Sequence, residues 1–379
     1  MNQLSNLKVA IVYDRVNKFG GAERVLLTLH EMFPEAPLYT SVNDKERAPW
    51  AKVFPKIYTS FLQNIPILKN HHELMGWLMP VAFESFDFKN YNLVISVTSE
   101  AAKGIITGVT TLHVCYLLTP TRYLWSGYEE YFRNILFKFL SKPIVKYLRW
   151  WDKVAAQRPD KIIAISTEVQ KRIKKYYGCS SEVVYPPVDI PEVAIAIHPR
   201  GGIYYLYVGR LVKYKKVDLL VDTFNQLKLP LVIVGVGSEF NSLKLKANSN
   251  IKFLGQVTDK ELVKVYQGAK AFLMPQEEDF GITAVEAQSY GVPVIAYKQG
   301  GALDTVIDGK TGVFFTDQTE PGLKSAIAKF DTISFNKRYL IANAKKFGKN
   351  RFKRELQRSL VYSYLLWRRG NPAMALFKR

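Results

Sequence analysis

A chain of 379 residues, 48% of them hydrophobic, is too long for one ordinary domain and suits two domains of roughly 150 to 200 residues, each with its own core. Its 53 Lys and Arg against 33 Asp and Glu give a formal charge of +20, which implies an anionic partner: nucleic acid, acidic lipid or a phosphorylated substrate. No run of 18 or more apolar residues appears and the opening MNQLSNLKVAIVYD has no signal-peptide layout, so the expectation is a cytoplasmic protein, soluble or peripheral at the inner face of the membrane.

The first predicted strand is LKVAIVY (7–13), followed by KFGGAER (18–24), which opens a helical pattern (ERVLLTLHEMF). Adjacent glycines, Gly20 and Gly21, let backbone N–H groups at a helix start approach a phosphate or a sugar; a tight turn explains them equally. His71 and His72 stand beside the hydrophobic stretch ELMGWLMPVAF and read as surface or acceptor-side residues, not ligands. Two further strands, LVISV (93–97) and LHVCYLL (112–118), follow, and the second runs into Thr119-Pro120-Thr121-Arg122-Tyr123. Neither Cys115 nor Cys179 has metal-ligand spacing, and a disulfide scaffold is not expected.

Beyond that turn, Lys138, Lys142, Lys146, Arg149 and Lys153 are spaced to share one helical face, with Phe139, Leu140, Ile144, Val145 and Leu148 mostly elsewhere around it and Trp150 and Trp151 at its flank. The face reads either as solvated or as a contact with an anionic membrane surface, and Pro143 predicts a kink. A second concentration of charge is the segment from Asp331 onward, with thirteen Lys and Arg against two acids.

After the strand KIIAIS (161–166), the Pro- and Gly-rich VVYPPVDIPEVAIAIHPRGG marks a linker near 186–202. The pattern then repeats: IYYLYVG (203–209), PLVIVG (230–235), IKFLG (251–255), KAFLMP (270–275), PVIAY (293–297) and GVFF (312–315). Near-continuous apolar strands alternating with helical segments indicate parallel sheets covered on both faces, whose ligands sit at the carboxyl ends of the strands. At one such end GRLVKYKKVD (209–218) places Arg210 and Lys215, a guanidinium and an ammonium suited to a diphosphate that gains charge as it leaves. At another, PQEEDFGITAVEAQSYGVPVIA (275–296) places Glu278 in a loop and Glu286 in the second turn of a helix that opens at Phe280-Gly281. Two such carboxylates could be an acid/base pair or two acceptors for sugar hydroxyls.

Together GGAER, YPPVD (185–189), GRLVKYKKVD, EDFGITAVEAQSYGVPVIA and GGALDTVIDGKTGVFF (300–315) resemble glycosyltransferase family 4, the glycosyl transferases group 1, over nearly the whole chain. The spacing of Glu, seven residues and Glu, with Phe-Gly after the first and Gly-x-Pro-Val after the second, is the most specific part of the resemblance. It implies the α/β GT-B fold, two doubly wound Rossmann-like domains facing across a cleft. The expected division is 1–190 as the acceptor-side domain, with a C-terminal helix at about 352–379 packing back on it, and 191–351 as the nucleotide-sugar domain.

The resemblance implies a retaining, metal-independent hexosyltransferase with no cofactor beyond its nucleotide-diphosphate sugar donor, similar to mannosyltransferases of cell-surface polysaccharide synthesis and leaning toward GDP-mannose. Arg210 and Lys215 would hold the diphosphate, Glu278 would contact the transferred sugar, and Glu286 would accept from the ribose. Phe280, Gly281 and Ile282 would present the helix start to the donor, and Gly20 and Gly21 of the first domain would join them in binding it. Glu277-Glu278-Asp279 is the nearest imitation of an Asp-x-Asp metal motif and is rejected as one. In the similar subgroup a His immediately precedes Thr-Pro, where this chain has Leu118, so either the acceptor site differs or activity is reduced. The implied partners are a glycan or lipid-linked acceptor and an anionic membrane surface. A nucleotide-sugar epimerase is the alternative of the same architecture. A basic nucleic-acid-binding protein is the alternative of another class, disfavoured because no nucleic-acid signature accompanies the charge.

Overall fold

The computed structural model describes residue 4 and residues 6–65, 76–132, 134–191 and 203–370. His71, His72, the linker from residue 192 to 202 and the end of the expected C-terminal helix beyond residue 370 lie outside the described residues. The chain divides into an N-terminal unit, Met1–Pro187 with Asn350–Arg379, and a second unit, Val188–Lys349.

The N-terminal unit alternates β1 (Val9–Tyr13), α1 (Gly21–Met32), β2 (Leu38–Thr40), β3 (Ile57–Thr59), α2 (Met79–Glu84), β4 (Leu93–Thr98), β5 (Leu112–Leu117), α3 (Tyr128–Tyr131), α4 (Ile135–Ala155), β6 (Lys161–Ala164), α5 (Thr167–Tyr177) and β7 (Glu182–Val183). Its seven strands lie in the order β3-β2-β1-β4-β5-β6-β7, every pairing parallel. All residues of β1, β4 and β5 are buried, as central strands covered on both faces must be. Local chemistry sets the helix ends: Ser166 caps α5 by accepting from Val169 N at 3.0 Å, and Gly178 ends it in the left-handed conformation.

The second unit comprises β8 (Tyr204–Val208), α6 (Val217–Leu227), β9 (Leu231–Val234), α7 (Phe240–Lys246), β10 (Ile251–Gly255), α8 (Asp259–Gln267), β11 (Ala269–Met274), α9 (Ile282–Ser289), β12 (Val294–Tyr297), α10 (Ala302–Thr305), β13 (Gly312–Phe315), α11 (Glu320–Asp331) and α12 (Lys337–Lys345). Its sheet is also parallel throughout, in the order β10-β9-β8-β11-β12-β13. Strand period divides the core between the two faces: Tyr205, Tyr207, Ala271 and Leu273 pack on one side, Leu206, Phe272 and Met274 on the other. Both units are therefore doubly wound α/β layers.

The last helix, α13 (Lys349–Gly370), belongs from Asn350 to the N-terminal unit. Phe352 is fully buried edge-on to Tyr116 at 5.7 Å, Lys353 pairs with Glu31 at 2.6 Å, and Ser359 donates to Glu182 at 2.8 Å.

Candidate active site

Strand order in the second unit reverses between β8 and β11, and open parallel sheets bind ligands beyond the carboxyl ends of the strands at such a reversal. The chain leaves β8 through Gly209-Arg210 and β11 through Pro275-Gln276, so the two basic and acidic segments singled out in the sequence emerge side by side.

Lys215 ends a short 3-10 turn (Lys213–Lys215), and Lys216 behind it takes a left-handed conformation, φ 53°, at a cost of roughly 1–2 kcal/mol for an L residue. The Lys215 ammonium pairs directly with the Glu278 carboxylate, and both side chains are largely covered. On the same Oε1 the Gln276 amide donates at 2.6 Å. Arg210 is exposed and its guanidinium donates to the Tyr214 hydroxyl at 2.7 Å. The Tyr207 hydroxyl donates to the Arg210 carbonyl at 3.3 Å, and burial first, with the Glu278 charge second, pushes that phenol well above its usual range. Two cations and one carboxylate thus converge where the sheet reverses.

Close backbone packing holds Glu278 in place. Gly301 N donates to the Glu278 carbonyl at 2.7 Å, and a β-carbon on Gly300 (φ 64°) would lie 2.3 Å from that same oxygen. One on Gly301 would lie 2.3 Å from the Phe280 Cα, so only glycines let this loop clasp residues 278–280. The Phe280 ring is buried edge-on to Phe347 at 5.5 Å, which leaves only its backbone for a ligand. Gly281, φ 90°, starts α9, with Ile282 half-buried in its first turn.

Residues 284–289 of α9 are all buried, and Glu286 with them. Its carboxylate accepts from the Tyr266 hydroxyl at 3.0 Å. Gln288 donates to the Thr305 carbonyl at 2.9 Å and accepts from Asn343 at 2.8 Å, so the helix that carries Glu286 is bolted to α10 and α12. The two glutamates therefore have different partners, Lys215 for one and Tyr266 for the other.

Gly20 and Gly21 belong to the other unit. Gly20, in extended backbone, caps α1 at the end of the loop that follows β1, and the buried Glu23 in the first turn accepts from the Tyr13 hydroxyl at 2.7 Å. In that unit the Thr119–Trp125 turn is anchored on the buried Asp152, which accepts from Thr121 at 2.9 Å, Trp125 Nε1 at 2.7 Å and Tyr177 at 2.7 Å, with the buried Lys103 ammonium 2.5 Å away. Leu118 is half-buried just past β5. His113 lies inside β5 with its Nε2 2.8 Å from Ser96 Oγ; burial first, and the Arg158 charge second, lower its pKa to about 3, so it cannot take the place of a histidine before Thr-Pro.

Sequence reasoning missed Gln276, Tyr266 and Tyr214. Gln276 had a signal, since a residue two positions before Glu278 in extended chain points to the same side. Tyr266 had none, because its partner is twenty residues away.

Residues 193–347 match the family model described as Glycosyl transferases group 1, and residues 19–192 match that described as Glycosyltransferase Family 4. The chain belongs to glycosyltransferase family 4. Among its curated relatives, an uncharacterized glycosyltransferase of Methanocaldococcus jannaschii is 28% identical over 207 residues, 53% of this chain and 58% of that one. The D-rhamnosyltransferase of Pseudomonas aeruginosa is 28% identical over 192 residues, 48% of this chain and 50% of that one. The chain thus spans between 50% and 58% of the length of these two relatives. An Anabaena protein solved in complex with UDP superposes with a TM-score of 0.68 at 18% identity, covering 94% of this chain and 100% of the other, which shows the shared GT-B fold.

Proposed function

We propose that the protein transfers a sugar, with retention, from a nucleotide-diphosphate sugar to a hydroxyl of a glycan or lipid-linked acceptor. The observation that carries the reading is the pairing of Lys215 with Glu278 beside Arg210 at the reversal between β8 and β11. A donor laid there meets two cations for its diphosphate and a carboxylate for the hydroxyls of its sugar. The acceptor hydroxyl attacks the anomeric carbon as the bond from that carbon to the diphosphate oxygen breaks. The departing diphosphate takes the hydroxyl proton on the face it leaves. Lys215 and Arg210 stabilise the charge that grows on the leaving group, which is worth most where water is excluded. Glu286, fixed by Tyr266, accepts from the ribose. The UDP bound by the Anabaena protein and the relative named as a D-rhamnosyltransferase support a nucleotide-sugar donor.

The test is a panel of UDP- and GDP-sugars, GDP-mannose among them, scored for ligand-induced stabilisation and for release of nucleoside diphosphate with added acceptors. A ligand at a hundred times its Kd should stabilise by about 2.7 kcal/mol. The product should keep the anomeric configuration of the donor, and turnover should persist in a metal chelator. Binding of no nucleotide sugar, with retention on DNA that salt abolishes, would overturn the reading.

A further inference from the structure

The helix α4 has three faces. One packs inward: Val145 and Leu148 against Leu124, and Trp151 and Ala155 in the main core of the N-terminal unit. A second carries the cations, but not all five of them outward as their spacing suggests. Lys138 pairs with Glu129 at 2.6 Å, and Arg149 donates to the Leu124 carbonyl at 2.7 Å with its guanidinium over the Tyr128 ring at 4.5 Å. Lys142, Lys146 and Lys153 are exposed. Trp151 likewise turns in, its indole N–H on Glu84 at 2.7 Å, while Trp150 turns out.

The third face is apolar and uncovered in this unit. Phe139 and Leu140 are each 64% exposed and Trp150 62%, with Ile144, Tyr147 and Val154 exposed between them. At 3.6 residues per turn these six side chains fill one arc of about 140°, directly beside the three exposed lysines. The helix is continuous through Pro143, which also lies on this arc and removes the donor that the Phe139 carbonyl would have had. The sole acidic residue of α4 is Asp152, which is buried.

We propose that this arc is a membrane-surface contact, with α4 lying in the headgroup region of an anionic bilayer. Large exposed apolar side chains, a Trp and a Tyr on the same arc, and a lysine border describe a helix that rests at a bilayer interface. Among the described residues no helix is long and apolar enough to cross a membrane, so the contact lies along the surface. Charge decides among occupants. A second copy packed with its α4 antiparallel would bring Lys142, Lys146 and Lys153 against their own counterparts, and in any packing it would set a second chain of charge +20 against the first, whereas acidic lipid neutralises the lysines. The inference deepens the transferase reading by placing its acceptor side at a lipid surface, yet it rests on the N-terminal unit alone.

The experiment is co-sedimentation of the full chain with phosphatidylcholine vesicles, with and without phosphatidylglycerol, across a salt series. Nucleotide-sugar binding and thermal melting are followed on the same samples. Binding should require the acidic lipid and fall as salt rises. Lys142→Glu/Lys146→Glu/Lys153→Glu should lower partitioning by about a hundredfold or more. Leu140→Ser/Trp150→Ser should lower it by about tenfold or more even at low salt. Lys244→Glu/Lys252→Glu/Lys264→Glu, the same charge change on the second unit, should leave most of it intact. Wild-type partitioning in both α4 variants would overturn the proposal. So would a wild-type dimer in light scattering that Leu140→Ser/Trp150→Ser renders monomeric, with no vesicle binding. Donor binding that survives either failure leaves the transferase reading standing.

Discussion

Breaking the Lys215–Glu278 pair from its two ends should move nucleotide affinity in opposite directions. The side chains are 12% and 18% exposed, so an effective dielectric near 20 applies, and at about 4 Å opposite unit charges attract by roughly 4 kcal/mol before desolvation offsets part of it. Without donor, the ammonium charge is already compensated by the carboxylate. A diphosphate arriving beside Lys215 must share that cation with Glu278 and is repelled by it. Lys215→Met removes the cation and leaves Glu278 held by the Gln276 amide, so UDP or GDP binding should weaken by tens-fold or more, on the order of 2–4 kcal/mol. Glu278→Gln removes the repelling charge; at about 8 Å in the same dielectric that repulsion is about 2 kcal/mol, less some screening. The bare diphosphate should then bind five- to thirtyfold tighter, roughly 1–2 kcal/mol, while turnover of the intact donor falls. In the double variant the gain should largely vanish, because the cation it depends on is gone. Isothermal titration with UDP and GDP and a transfer assay read the two effects. If Glu278→Gln weakens diphosphate binding as much as Lys215→Met does, or neither changes it, the pair does not hold the donor.

Arg210→Ala should slow transfer by tens-fold or more with little change in melting temperature, because the side chain is exposed and donates to the Tyr214 hydroxyl at the surface; unchanged turnover removes it from the site. Glu286→Gln should chiefly raise KM for the donor, and Tyr266→Phe should do the same more weakly while lowering stability by about 1.5–3 kcal/mol for a lost hydrogen bond to a charged group. A fall in kcat alone would place Glu286 at the reacting bond instead. His113, lowered to about 3 by burial, is neutral in the folded state over most of the acid range. Below its unfolded pKa of about 6.5 the unfolded chain gains a proton that the folded chain does not, so stability falls with pH by up to about 1.4 kcal/mol per unit. Denaturant melts of His113→Gln between about pH 7 and pH 4 should show a flatter slope than wild type; an equal slope would mean that His113 is not the group responsible.

Ten of the thirteen strands among the described residues were legible as apolar, β-branched runs because central parallel strands must be buried on both faces. The three that were not, β2, β3 and β7, have three, three and two residues, too short for any period to show. The positions expected for Arg210, Lys215 and Glu278 beyond strand ends, and for Glu286 in the second turn of the following helix, are those the fold gives them, while their roles came from the family resemblance. The union of Lys215 with Glu278 was not legible, since 63 residues separate them and only the β8–β11 pairing brings them together. On α4, periodicity placed the five cations correctly relative to one another. It could not say which angle of the helix the unit would cover, and so missed that Arg149 and Lys138 lean on Leu124, Tyr128 and Glu129 while the apolar residues stand uncovered.

The return of α13 to the N-terminal unit inverts the order in which the two units can be completed during synthesis. Val188–Lys349 is one uninterrupted segment and can close its six-stranded sheet as soon as it has left the ribosome. The half translated first has to wait. Until Phe352, Leu356 and Leu360 arrive, Tyr116 and its neighbours lack the helix that buries them, so the nascent N-terminal half spends the translation of the second unit with an open apolar face. A chain stopped just after residue 349 would carry a finished second unit on an unfinished first one, and that truncation is where chaperone dependence and aggregation should concentrate.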